Sequence, residues 1–188
     1  MKVTKAQVQA NRERIVETAS VLFRERGYDG VGIAELMATA GFTHGGFYKH
    51  FGSKADLMAE AAACSFAQSA AQTADTDITE FVQQYLSRQH RDAPGNGCTM
   101  AALCADAGRQ SASLKETFAA GIETQLAMLA QEDDATDEKR AQRISAIAHA
   151  VGALVLSRAC PDDSHLADEI LQVCRAQILA QCNQENKS

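Results

Sequence analysis

The chain has 188 residues, 46% apolar or aromatic and 22% charged. That is the balance of a folded domain and excludes collagen-like, low-complexity and wholly disordered readings. No run approaches the roughly 20 uncharged apolar residues of a membrane span, so no membrane partner is expected. Residues 1–14 are polar, so no secretory signal is expected and the cytoplasm is the expected compartment. The net charge of −6 is uneven: residues 1–54 hold eight Lys/Arg against five Asp/Glu, and residues 55–188 hold ten against nineteen. A basic head on an acidic body is the asymmetry expected when only the head meets a polyanion.

With prolines only at Pro94 and Pro161, the chain reads as all-α, about nine helices. The first spans about 5–26, with Ile15, Ala19, Leu22 and Phe23 on one face and Arg12, Arg14, Arg24 and Arg26 elsewhere on the barrel. Gly27 can close it through a positive φ, with Tyr28 packing back on the last turn. A short helix at 33–39, the break Ala40-Gly41-Phe42-Thr43, and a second short helix at 44–50 give a helix-turn-helix layout. Ser53 and Asp56 then form a capping box for a helix to about Thr73. Polar Asp75-Thr76-Asp77 precedes a helix at 78–89, and 90–96 reads as a loop around Pro94-Gly95.

Helices follow at about 98–108, 113–131, 136–159 and 164–181, with an acidic turn at Glu132-Asp133-Asp134 and a polar tail after Cys182. The last two are apolar on more than one side. Ile147, Val151 and Leu154 on one, and Ile170, Val173 and Cys174 on the other, need cover from the rest of the domain or from a second copy of the chain, and the family resemblance below favours a homodimer interface there. The domains expected are 1–54, a three-helix helix-turn-helix unit, and 55–188, a helical body.

The segment Ala40-Gly41-Phe42-Thr43-His44-Gly45-Gly46-Phe47-Tyr48-Lys49-His50-Phe51-Gly52-Ser53-Lys54-Ala55-Asp56-Leu57 resembles the DNA-binding domain of the TetR family of bacterial transcription regulators. The resemblance covers about residues 10–58. It departs at Val31-Gly32, where the family often carries Ser or Thr, removing a side-chain oxygen from the start of the second helix. It implies a homodimeric repressor on a palindromic duplex, released by a small-molecule inducer bound in the body. The chemistry agrees. Helix starts present unpaired amides to phosphates, and the N-terminal part of a recognition helix reads bases in the major groove. Thr43, His44, Gly45, Tyr48, Lys49, His50, Ser53 and Lys54 are therefore the candidate DNA residues. Lys49 suits a guanine edge, Tyr48 and Lys54 suit phosphates, and the two glycines allow close backbone approach. Phe47 and Phe51 read as core.

Tyr85, Met100, Phe118, Ile122 and His149, with Phe66, Phe81 and Leu103, read either as plain core or as ligand contacts, with polar Tyr85 and His149 the better ligand candidates. Cys98, in the first turn of its helix, reads either as a reactive thiol or as a small buried capping residue. A Gly-Cys there also resembles a subset of the family that responds to electrophiles. Cys104 falls on a different side of that helix, so a disulfide between the two is not expected. The six cysteines at 64, 98, 104, 160, 174 and 182 contain no C-x-x-C pair and read as free thiols. No metal site and no cofactor are expected. No P-loop, GxGxxG or Ser-His-Asp spacing supports an enzyme. A helical dimerisation module that never meets DNA is the competing reading.

Overall fold

The computed structural model describes residues 4–73, 78–130 and 136–185. The expected linkers Asp75-Thr76-Asp77 and Glu132-Asp133-Asp134, and the side chains from Cys182 onward, lie outside the described residues. The described part is all-α. Its helices are α1 (Lys5–Arg26), α2 (Ile33–Thr39), α3 (Lys54–Thr73), α4 (Ile78–Tyr85), α5 (Arg88–Asp92), α6 (Thr99–Ala107), α7 (Ala112–Met128), α8 (Asp137–Arg158) and α9 (His165–Glu185). Two 3-10 helices join them: a recognition segment at His44–Lys49 and a turn at Pro94–Asn96.

Local chemistry sets most boundaries. Thr4, Ser87, Ser111 and Thr136 each cap the following helix, their hydroxyls accepting the third amide of the first turn. Helix α1 ends at Gly27, whose φ is 72° and ψ 169°, an extended ψ rather than the left-handed helical one. Tyr28 packs back onto Phe23, ring centroids 5.1 Å apart. The expected helix over 78–89 is divided. The Ser87 hydroxyl donates to the Gln84 carbonyl and accepts the His90 amide, so α4 stops at Tyr85 and α5 starts at Arg88 and runs on into the expected loop.

The buried side chains form two clusters. The first runs from Ile15 and Phe23 in α1 through Leu36, Phe47 and Phe51 to Leu57, Phe66, Leu103, Leu114 and Phe118, so α3 serves both head and body. The second joins Val82 and Leu86 to Ala153, Leu154, Leu171 and Ile178, seating α4 on the α8–α9 pair. Phe66 meets Phe118 edge to face at 5.4 Å, and its ring fills the place a side chain at Gly121 would need, 2.4 Å from an ideal Cβ.

Arg24 lies off the apolar stripe of α1 but not in solvent. It is buried, its Nε and Nη2 both donating to the Gly95 carbonyl and its Nη1 to Ser65. Of the expected dimer-face residues, Leu154 is 0% exposed and serves the protomer's own core. Ile147 and Val151 are half-buried against the first cluster, Ile170 and Cys174 half-buried against the second, and Val173 is exposed. The other exposed large apolar residues of these two helices are Ile144, Val155, Leu156 and Leu166.

Candidate nucleic-acid interface

The turn between α2 and the recognition segment is closed by backbone alone. Gly41 takes φ 83°, its N–H reaches the Ala38 carbonyl at 3.0 Å, and the Phe42 N–H reaches the Met37 carbonyl at 2.7 Å. This pair of bonds is a Schellman motif, which needs a left-handed residue at Gly41. The chain then re-enters a short helix that is 3-10 rather than α, with Gly46 N–H on the Thr43 carbonyl and His50 N–H on the Phe47 carbonyl. Two consecutive glycines favour α-helix weakly, and 3-10 geometry is used in such short pieces.

Phe47, 0% exposed, pins the segment to the core, and Phe51 at 3% pins its end. With these two inward, the other side chains turn out. Thr43, His44, Gly45, Tyr48 and Lys49 are exposed, Tyr48 by 64%. The Thr43 hydroxyl makes no capping bond to the segment. His44 and Tyr48 stand edge to face at 6.4 Å, one turn apart on the same side. Lys49 closes the segment beside them.

The remaining expected residues face inward in part. Ser53 caps α3, its hydroxyl accepting the Asp56 N–H at 3.1 Å. Lys54 is half-buried. Its ammonium donates to the Tyr28 carbonyl and lies 5.9 Å from the Phe23 ring centroid, so it ties α3 to the turn after α1. His50 is half-buried with an unpartnered Nδ1, and its carbonyl accepts Arg12 Nη1. Arg12 also binds Glu60 and stacks 4.3 Å from the Phe51 ring centroid. Sequence reasoning did not single out Arg12 for this function, because its partners lie 38 and 48 residues away. The other head–body tie it missed is the Tyr28 N–H on the Asp106 carboxylate of α6, at 3.1 Å.

The expected ligand contacts do not gather in one place. Met100, Phe118 and Ile122 belong to the first cluster with Phe66 and Leu103, and Tyr85 joins the second with Phe81. His149 is half-buried on α8. Cys98 is the N-cap of α6 and half-exposed, and its side chain makes no capping bond. Among the described residues no group of three or more His, Cys, Asp or Glu is placed to hold a metal, and no helix is long and apolar enough to cross a membrane.

A Schellman-closed helix, a glycine turn and an exposed second element fixed by buried aromatics, set on a helical body, define a helix-turn-helix protein. Residues 15–61 match the profile of bacterial regulatory proteins of the tetR family. An uncharacterised HTH-type transcriptional regulator of Mycobacterium tuberculosis is 27% identical over an alignment of 201 positions, covering 96% of this chain and all of that protein. The HTH-type regulator AcrR of Shigella flexneri is 37% identical over 57 residues, 30% of this chain and 26% of its own length. In fold, the reduced form of E. coli NemR superposes with a TM-score of 0.74 at 22% identity, over 90% of this chain and 95% of that one. Over residues 15–61 the chain is thus similar to bacterial regulatory proteins of the tetR family, and as a whole it shares the fold of a TetR transcriptional regulator from Chloroflexus aurantiacus (TM-score 0.71, 22% identity).

Proposed function

We propose that the protein is a homodimeric repressor of a palindromic operator, released by a small molecule or by modification of a thiol. The carrying observation is the exposed row Thr43, His44, Gly45, Tyr48 and Lys49, held outward by fully buried Phe47. In this reading His44 and Lys49 meet base edges, Gly45 lets the backbone close on the groove, and Tyr48 donates to a phosphate. Ser53 and Lys54 set the start of α3, whose free amides then face the backbone. Arg12 and Lys54 are positioning residues, since their donors are already engaged within the protein.

A second copy of the chain is the natural cover for the outer face of α8. Ala141, Ile144, Ser145, Ala148, Gly152, Val155, Leu156 and Ala159 follow one another there without a charge, and Leu166 and Val173 continue the face on α9. Two-fold pairing on this face presents two heads, which must stand about 34–36 Å apart to enter successive major grooves. A ligand that prefers another spacing lowers DNA affinity by its differential binding to the two states. The fold is compatible with both occupants: the AibR structure (TM-score 0.59, 16% identity) is a complex with isovaleryl coenzyme A and operator DNA.

The test is selection of a duplex from a pool of random palindromes, followed by titration at several salt concentrations. A repressor of this kind selects a two-fold symmetric site and shows a steep salt slope. Binding that is indifferent to sequence, or absent, would refute the reading in favour of a dimerisation module.

A further inference from the structure

Helix α1 carries four arginines, and three of them are engaged inside the protein. Arg12 donates to the His50 carbonyl and pairs with Glu60. Arg24 donates to the Gly95 carbonyl and to Ser65, and Arg26 pairs with Glu35. Arg14 differs. It is exposed, and among the described residues its guanidinium enters no hydrogen bond and no ion pair. The group is nevertheless held in place. Its Cζ stands 5.7 Å from the centroid of the Phe42 ring, within the reach of a cation–π contact. Its Nη2 and Nη1 lie 3.0 and 4.0 Å from the position a Cβ on Gly41 would take. The guanidinium is therefore laid across Gly41-Phe42, the two residues that lead into the recognition segment.

Its place relative to the exposed row follows from chain geometry. Consecutive Cα atoms are about 3.8 Å apart, so Thr43, two residues on from Gly41, starts the row roughly 10 Å from the guanidinium. The major groove is about 12 Å wide. With Thr43 and His44 at the base edges, a cation roughly 10 Å away meets the wall of the groove, which is sugar and phosphate. Stacking leaves the right atoms free. The N–H groups of a guanidinium lie in its plane and point outward from the rim, in a fork that fits two phosphate oxygens. The Phe42 ring, half-buried against the first cluster, also restricts Arg14 in advance, which lowers the ordering cost of a contact. With no carboxylate paired to it among the described residues, the charge of Arg14 is undiminished toward a polyanion.

We propose that Arg14, resting on the Phe42 ring, is a direct contact to one backbone phosphate in each half of the duplex, made from the first helix rather than from the recognition segment. The proposal rests on the regulator reading above and adds to it a residue outside the exposed row. A phosphate contact carries no base information of its own. It fixes register and orientation, here at the turn from which the recognition segment starts. Arg14 thus sets the angle at which Thr43 and His44 enter the groove, while Arg12 and Lys54 hold the same head together from within.

The experiment uses the full-length protein and the duplex it selects. Neutral methylphosphonate replaces one phosphate at a time along a half-site, and each duplex is titrated with the unaltered protein, Arg14→Gln and Arg14→Lys. On the unmodified duplex Arg14→Gln should bind at least about tenfold more weakly, the order for one hydrogen bond between charged groups. Its slope of log affinity against log salt should flatten by about one unit per head. Arg14→Lys should keep the slope and part of the affinity, since an ammonium meets the phosphate without the fork. At one position the methylphosphonate should weaken the unaltered protein by a similar factor and cost Arg14→Gln little more, because the contact is already gone. The melting temperature of Arg14→Gln should stay within about 2 °C of the original, as befits a surface side chain with no bond to lose. Losses that simply add at every phosphate overturn the proposal, as does an unchanged slope or a melting temperature that falls well beyond that margin. If the unaltered protein selects no duplex at all, the regulator reading fails and the contact falls with it. If it selects one and the losses add, Arg14 alone is refuted and the exposed row stands.

Discussion

Substitution of Gly45 by alanine separates stability from function by sign. Gly45 is exposed, its φ is not positive, and an ideal Cβ there meets nothing within 4 Å. Nothing in the protein requires glycine at this position. Alanine should therefore stabilise the fold by about 0.4–1 kcal/mol, chiefly by restricting the unfolded chain. For a chain of this size 1 kcal/mol shifts the melting temperature by roughly 2–4 °C, so a rise of about 1–4 °C is expected at fixed protein concentration. Operator affinity should move the other way. A methyl group between backbone and base edge removes close contacts, and a loss of about 1–3 kcal/mol, the range for one disturbed base contact, weakens binding by roughly 5- to 150-fold. Gly41→Ala supplies the contrast. At φ 83°, with Arg14 Nη2 only 3.0 Å from the new Cβ, alanine is strained and costs about 1–2 kcal/mol. That variant should melt lower. Calorimetry and duplex titration on the same preparations decide. A Gly45→Ala protein that binds as tightly as the original would remove the recognition segment from the groove and with it the proposed docking.

The lysines, the outer face of α8 and the buried histidine yield further expectations. Lys49→Ala should reduce the slope of log affinity against log salt by about one unit. Lys54→Ala should leave the slope unchanged and lower the melting temperature instead, since its ammonium serves the Tyr28 carbonyl; slope data that invert this order would restore Lys54 to the phosphate contacts. Leu156→Lys, 60% exposed, should yield a folded monomer by ultracentrifugation, whereas Leu154→Lys, fully buried, should fail to fold; a dimeric Leu156→Lys protein would rule out this face. His90 is held below its unfolded value by burial, so the stability it contributes is present above the ordinary histidine range and is lost as pH falls through its lowered folded value. Melting temperature should accordingly fall between pH 7.5 and 5.5, and less steeply in His90→Gln; parallel curves would show that His90 is not the titrating group.

The head was legible in the sequence because its signals are local. Gly41 announces a positive φ, Phe47 and Phe51 announce an inner face four residues apart, and whatever is left over must point out. The failures have one cause, which is that contact partners distant in sequence leave no local trace. Arg24 reads as a surface charge until Gly95 and Ser65, 71 and 41 residues away, arrive to satisfy it. Lys54 reads as a phosphate donor until the Tyr28 carbonyl accepts a hydrogen bond from its ammonium. On α8 the pattern did reveal two apolar faces, but periodicity does not say which of them the protomer uses for itself. Both are used in part: Leu154 and Ala153 are buried, Ile147 and Val151 pack half-buried on the first cluster and Ala150 on the second, while Ile144 and Val155 are left outside.

The buried arginines bear on how such a molecule can switch. Burial lowers the affinity of Arg24 and Arg158 for their protons, and each makes good the lost hydration with backbone carbonyls. Apolar residues of the same volume would often stabilise such positions as well or better. What a guanidinium adds is direction, since its fork fixes the carbonyls it holds in angle as well as distance. The apolar cluster seats α1 against α3, and two polar ties, Gly95 to Arg24 and Asp106 to Tyr28, fix the angle of its C-terminal end. On the proposed reading, a change that breaks either tie would shift α1, and in a dimer whose two heads are matched to one turn of DNA that small shift would lower affinity steeply.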